Sequence, residues 1–96
     1  MGACDFGVRA KGKTAKEAFN NAVEEAQYES GHGGYTGTIA EKHAFNLIAV
    51  PDGESPIKFA DGLMDREDKR CSDKWGPAGC VKVAEGEYYF FGWASS

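Results

Sequence analysis

The chain has 96 residues, 42% of them hydrophobic, and a formal net charge of −4 from 11 Lys+Arg against 15 Asp+Glu. That length suits a single domain, 1–96, which buries only about 60–65% of its unfolded surface on folding. The acidic balance disfavours nucleic acid as a partner, and no apolar run approaches the roughly 20 residues of a membrane span, so no membrane is expected.

The N-terminus lacks the basic-then-apolar layout of a signal peptide, and a cytoplasmic protein is expected. Met1-Gly2-Ala3-Cys4 resembles an acylated terminus, but Phe6 stands where the myristoylation pattern requires Ser or Thr. Cys4, Cys71 and Cys80 are an odd number at unrelated spacings, unlike a disulfide framework, and reduced thiols are expected.

Residues 4–11 alternate, with Cys4, Phe6, Val8 and Ala10 on one side and Asp5, Gly7, Arg9 and Lys11 on the other, the signature of a half-buried strand. After Gly12-Lys13, Thr14 and Glu17 have the spacing of a capping box and start a helix. Ala15, Ala18, Phe19, Ala22, Val23 and Ala26 then form one apolar stripe of mostly small residues, which lets a helix lie close against a sheet. Gly31 is placed to end that helix.

Tyr35–Ala40 and Ala44–Val50 both read as strands, either as a hairpin turned near Glu41-Lys42-His43 or as one long bent strand. Pro51-Asp52-Gly53 reads as a turn. Ser55-Pro56 supplies an N-cap and a first helical position for a short second helix carrying Ile57, Ala60 and Met64. Asp65–Lys74 is a charged stretch and Trp75–Gly79 a Gly/Pro loop. Cys80–Ala84 and Glu87–Ala94 read as strands joined by a tight turn at Glu85-Gly86. In the last strand Tyr89, Phe91 and Trp93 take one face and Tyr88 and Phe90 the other. A strand so apolar should lie centrally or have its outer face covered. The expected fold is α+β, a single layer of about five mostly antiparallel strands with one long helix packed on one face and a short second helix.

No complete catalytic, metal or cofactor signature is present, so none of these is assigned. The glycine-rich segment Gly31–Thr38 completes neither the P-loop nor the dinucleotide spacing. It also follows its helix instead of preceding it, where the dipole repels anions. It reads as a helix-to-strand connection or as a ligand-binding loop using Tyr35, Thr36 and Thr38. His32 and His43, with Glu41, would form an acid–base or metal site only if the chain brought them together. Cys71 and Cys80 lack a paired CxxC. Asp61, Asp65, Glu67 and Asp68 lack the ordered spacing of a calcium loop and read as a solvated charged turn.

The aromatic hairpin and Trp75, stranded among breakers, are the candidate contact residues. The leading expectation is a small binding protein, non-enzymatic, acting by protein–protein contact or self-association through Trp75, Tyr88 and Phe90. The rival is a small-molecule or nucleotide-ligand binding protein or small enzyme using Gly31–Thr38 with His32 and His43. A third reading, a phage-type accessory inhibitor of a host enzyme, is compatible with the compact size and mild acidity.

Overall fold

The fold is seen in a computed structural model that describes residues 3–30, 38–68, 72 and 76–95. The N-terminal alternation becomes strand β1, Ala3–Lys11, with Asp5, Gly7 and Arg9 exposed and Phe6, Val8 and Ala10 half-buried against the core. Gly12 then passes so near the next element that a Cβ on it would lie 2.5 Å from the Ala18 backbone nitrogen.

Helix α1 spans Ala15–Ser30. The Glu17 N–H donates to Thr14 Oγ1 at 3.1 Å, and Glu17 Oε1 accepts from the Lys13 N–H at 3.4 Å. The box is therefore present, with its return bond one residue earlier than the standard pattern. Ala18, Phe19 and Ala22 are buried, as the stripe predicts. Gly31 lies outside the described residues.

Among the described residues the sheet has four strands, not about five. Besides β1 they are β2, Phe45–Leu47, β3, Ala78–Ala84, and β4, Glu87–Ser95, in the order β1-β4-β3-β2. Strand β4 pairs antiparallel with both neighbours, whereas β2 runs parallel to β3. Parallel neighbours need a crossover, and the connection between them contains helix α2, Pro56–Asp65.

The strand expected over Tyr35–Ala40 is corrected where it can be seen. Ile39–Glu41 is a 3-10 turn in which Thr38 Oγ1 accepts from the Ala40 N–H at 3.2 Å. The hydroxyl offers the backbone a local bond in place of a ladder, and Ile39, only 2% exposed, is driven into the core. Residues 35–37 lie outside the described set. Nor does a hairpin form at Glu41–His43: β2 is three residues long and its partner is β3, far along the chain.

Side-chain alternation builds a core on each side of the sheet. On the first face Ala18, Phe19 and Ala22 of α1 meet Cys80, Tyr88 and Phe90. Here the Phe19, Phe45 and Phe90 rings lie 5.1 to 5.7 Å apart, within the range of favourable tilted packing. On the second face Ala60 and Leu63 of α2 meet Ile48, Val81 and Phe91. Burial pushes the Cys80 thiol up to about 12, which keeps it protonated and unreactive at neutral pH.

Lys42 is 3% exposed. Its Nζ donates to the Gly76 carbonyl at 2.8 Å and stands 6.0 Å from the Phe6 ring centroid. The ammonium thus ties the approach to β2 to the approach to β3, while its methylene stem is covered.

The expected turns form. Glu54 N–H donates to the Pro51 carbonyl at 3.1 Å, with Gly53 at φ 83°. Between β3 and β4, Gly86 sits at φ 73° and the register shifts by one residue between Lys82 and Ala84. Glu85 is poorly suited to positive φ, so glycine alone takes it and a bulge absorbs the remaining twist.

Helix α2 ends in a Schellman motif: Asp68 N–H donates to the Leu63 carbonyl at 3.0 Å and Glu67 N–H to the Met64 carbonyl at 3.1 Å. The left-handed position that glycine usually fills is held by Glu67 at φ 53°. Replacing Glu67 by Gly should therefore raise stability by about 1 kcal/mol, read as a higher urea midpoint at unchanged slope. A lower midpoint would show that the carboxylate contributes more than the strain costs.

Candidate functional site

The second face of the sheet is covered unevenly. Ten-residue α2 packs on β3 and β4, and on β1 beyond it Asp5, Gly7 and Arg9 remain exposed. These three stand opposite Trp93, Phe91 and Tyr89 respectively. Phe91 lies between two glycines, Gly7 on β1 and Gly79 on β3, and is 1% exposed beneath α2. Tyr89 and Trp93 are half-buried.

Tyr89 stacks on Phe91 at 5.8 Å with an interplanar angle of 17°. Its phenol leans across to β1, where its oxygen occupies the place a Cβ on Gly7 would take. Glycine at position 7 is what permits this close approach.

Between β1, β4 and α2 lies an open cavity of about 360 Å³, bordered by Asp5, Gly7, Asp61, Met64, Asp65 and Tyr89. Three carboxylates around one aromatic floor make it repel anions and suit ammonium or guanidinium groups. Arg9, which shares this face of β1 with Lys11, lies 4.0 Å from Glu87 in a partly exposed pair. Burial raises the Tyr89 phenol above its ordinary value, with the Asp61 and Asp5 carboxylates adding to the rise and Arg9 opposing it. No cluster of three or more His, Cys, Asp or Glu suited to a metal ion occurs among the described residues. Among the described residues, no histidine or cysteine borders the cavity.

The residues singled out from the sequence are dispersed. His32, Tyr35, Thr36 and Trp75 lie outside the described residues. Thr38 uses its hydroxyl to cap the 3-10 turn and lines a separate cavity of about 200 Å³ between the end of α1 and β1. His43 is exposed ahead of β2 and does not line that cavity.

Tyr88 and Phe90, expected to supply contact area, are 8% and 0% exposed and belong to the core under α1. Their side of the hairpin faces the longer helix, and the half-buried aromatics of the last strand are Tyr89 and Trp93 on the other side. Asp61 and Asp65, read as part of a charged turn, sit on α2 and border the cavity.

Sequence reasoning missed Tyr89 with Asp5 and Asp61 as a group. The alternation in β1 and in β4 was visible separately, but only their antiparallel register sets Asp5 and Gly7 beside the aromatics. Tyr28, 91% exposed on α1, and Leu47, 59% exposed on β2, were also unflagged.

Because the unfolded chain surrenders the Tyr89 proton first, stability falls as pH rises through and above the ordinary phenol range. Asp61→Asn should bring the Tyr89 transition to lower pH in an ultraviolet phenolate titration, with the fold retained. An unchanged transition would place the Asp61 carboxylate too far away to act. Compared with protein-family models, curated proteins and solved structures, the chain matches none.

Proposed function

We propose that this protein is a small binding domain that works by protein–protein contact, self-association included, through the second face of its C-terminal hairpin. The observation that carries the reading is the uncovered β1 half of that face, where half-buried Tyr89 and Trp93 adjoin exposed Asp5, Gly7 and Arg9. Aromatic rings bordered by charge are the composition of contact surfaces.

Size-exclusion chromatography with light scattering over a wide concentration range tests this reading. A species larger than the monomer that dissociates on dilution is expected. A strict monomer at all concentrations would remove self-association from it.

A second reading, a small-molecule-binding domain working next to the Gly31–Thr38 segment, is supported by the cavity that Thr38, Ile39, Phe6 and Ala26 help to line. A ligand present at a hundredfold excess over its dissociation constant should stabilise the fold by about 2.7 kcal/mol. Thermal-shift screening across nucleotides, sugars and organic amines measures this, and silence across all three classes would set the second reading aside.

A further inference from the structure

The outer edge of β1 has a defined backbone polarity. The Gly12 N–H donates to the Gly86 carbonyl at 3.1 Å, in register with the β1–β4 ladder. In an antiparallel pair, bonded and non-bonded residues alternate. The even-numbered residues of β1 therefore bond to β4, and the N–H and C=O groups of Ala3, Asp5, Gly7, Arg9 and Lys11 point away from it. The Lys11 carbonyl accepts from Asn21 Nδ2 at 2.9 Å, which agrees with that direction and closes this end of the edge. No strand flanks β1 on its outer side among the described residues.

Charges on an edge strand ordinarily discourage pairing. Here they have opposite signs and are placed symmetrically about a glycine: Asp5, Gly7, Arg9. An antiparallel copy of the same strand with Gly7 opposite Gly7 sets Asp5 against Arg9 and Arg9 against Asp5, and Phe6 against Val8. Sliding the copy by two residues in one direction sets Asp5 against Gly7 and leaves both charges unmatched. Sliding it two the other way sets Asp5 against Lys11 but leaves Arg9 against Gly7, at an end of the strand where the Lys11 carbonyl already accepts from Asn21. A slide of four residues opposes like charges, Asp5 to Asp5 or Arg9 to Arg9, which is unfavourable.

From this we infer that β1 pairs with β1 of a second copy, antiparallel and centred on Gly7, joining two four-stranded sheets into one. The inference rests on the self-association reading above and specifies its partner, its strand and its register. Asp5, Gly7 and Arg9 of each chain face the other with outward backbone groups, and each opposed pair exchanges two hydrogen bonds. Opposed side chains in such a pair come within reach of an ion pair. The Tyr89 phenol over Gly7 lies next to the symmetry axis, so the two phenols meet across a floor of two glycines. The contact is isologous and closes after two copies.

Sedimentation velocity on the full chain tests the pairing, using wild type, Asp5→Arg, Arg9→Asp and the double exchange, with each fold checked by circular dichroism. Both single substitutions are at exposed positions, and each should weaken the dimer by about tenfold or more. The double exchange should restore it, because the symmetry swaps both partners together. Mixing D5R with R9D should yield a heterodimer, since one chain then carries two positive charges and the other two negative charges at the paired positions. A wild-type dimer that all these exchanges leave unchanged would overturn the β1 register while leaving self-association standing. A wild-type monomer would overturn both.

Discussion

Strand β4 lies between β1 and β3 and is apolar on both faces, and the other elements are placed by where they meet it. Phe90 points toward α1 and closes a three-ring cluster with Phe19 and Phe45. Phe91, one residue on, points the other way beneath Leu63 and Ala60. Each phenylalanine taken out of water contributes about 1.5–3 kcal/mol, a large share of what a chain of this length can accumulate. The alanine stripe of α1 follows from this arrangement. Large rings already fill the sheet surface, and a helix of small residues can approach them closely without forcing bad rotamers.

The two faces differ because the two helices differ in length. Helix α1 has 16 residues and α2 has ten. The longer one is reinforced by the 3-10 turn at Ile39 and by buried Lys42, so Cys80, Tyr88 and Phe90 on its side of the sheet are buried. The shorter one leaves β1 outside its reach. The asymmetry accounts for why two adjacent tyrosines in one strand have opposite surroundings. Tyr88 is sealed under α1, whereas Tyr89 lies half-buried over a glycine with carboxylates beside it.

Much of this was legible from local pattern alone. The capping spacing at Thr14 and Glu17, the alternation of β1, the Ser55-Pro56 helix start and the Glu85-Gly86 connection each involve residues a few positions apart, where sequence and structure are directly coupled. The central position of β4 was legible too, since its faces are apolar on both sides. The failures were non-local. Nothing near Phe45 announces a parallel partner at Ala78, and Thr38 diverts an apparent strand into a turn through one hydroxyl bond. Which face of the hairpin is outward depends on which helix is longer, a comparison between segments far apart. The grouping of Asp5, Tyr89 and Asp61 draws one residue from each end of the chain and one from its middle, and no spacing rule joins them.

The register that places β4 at the centre also fixes how the sheet can assemble. Strands β1 and β3 are each bonded to β4 and not to one another, and β4 is the last strand among the described residues. The β3–β4 hairpin can close early, over a short loop. Its union with β1 requires residues from opposite ends of the chain to meet, and long loops impose an entropic cost before their contacts return anything. The sheet depends on β4 to become one: without it β2 and β3 remain paired and β1 has no neighbour. Strand β4 therefore decides whether β1 belongs to the sheet at all.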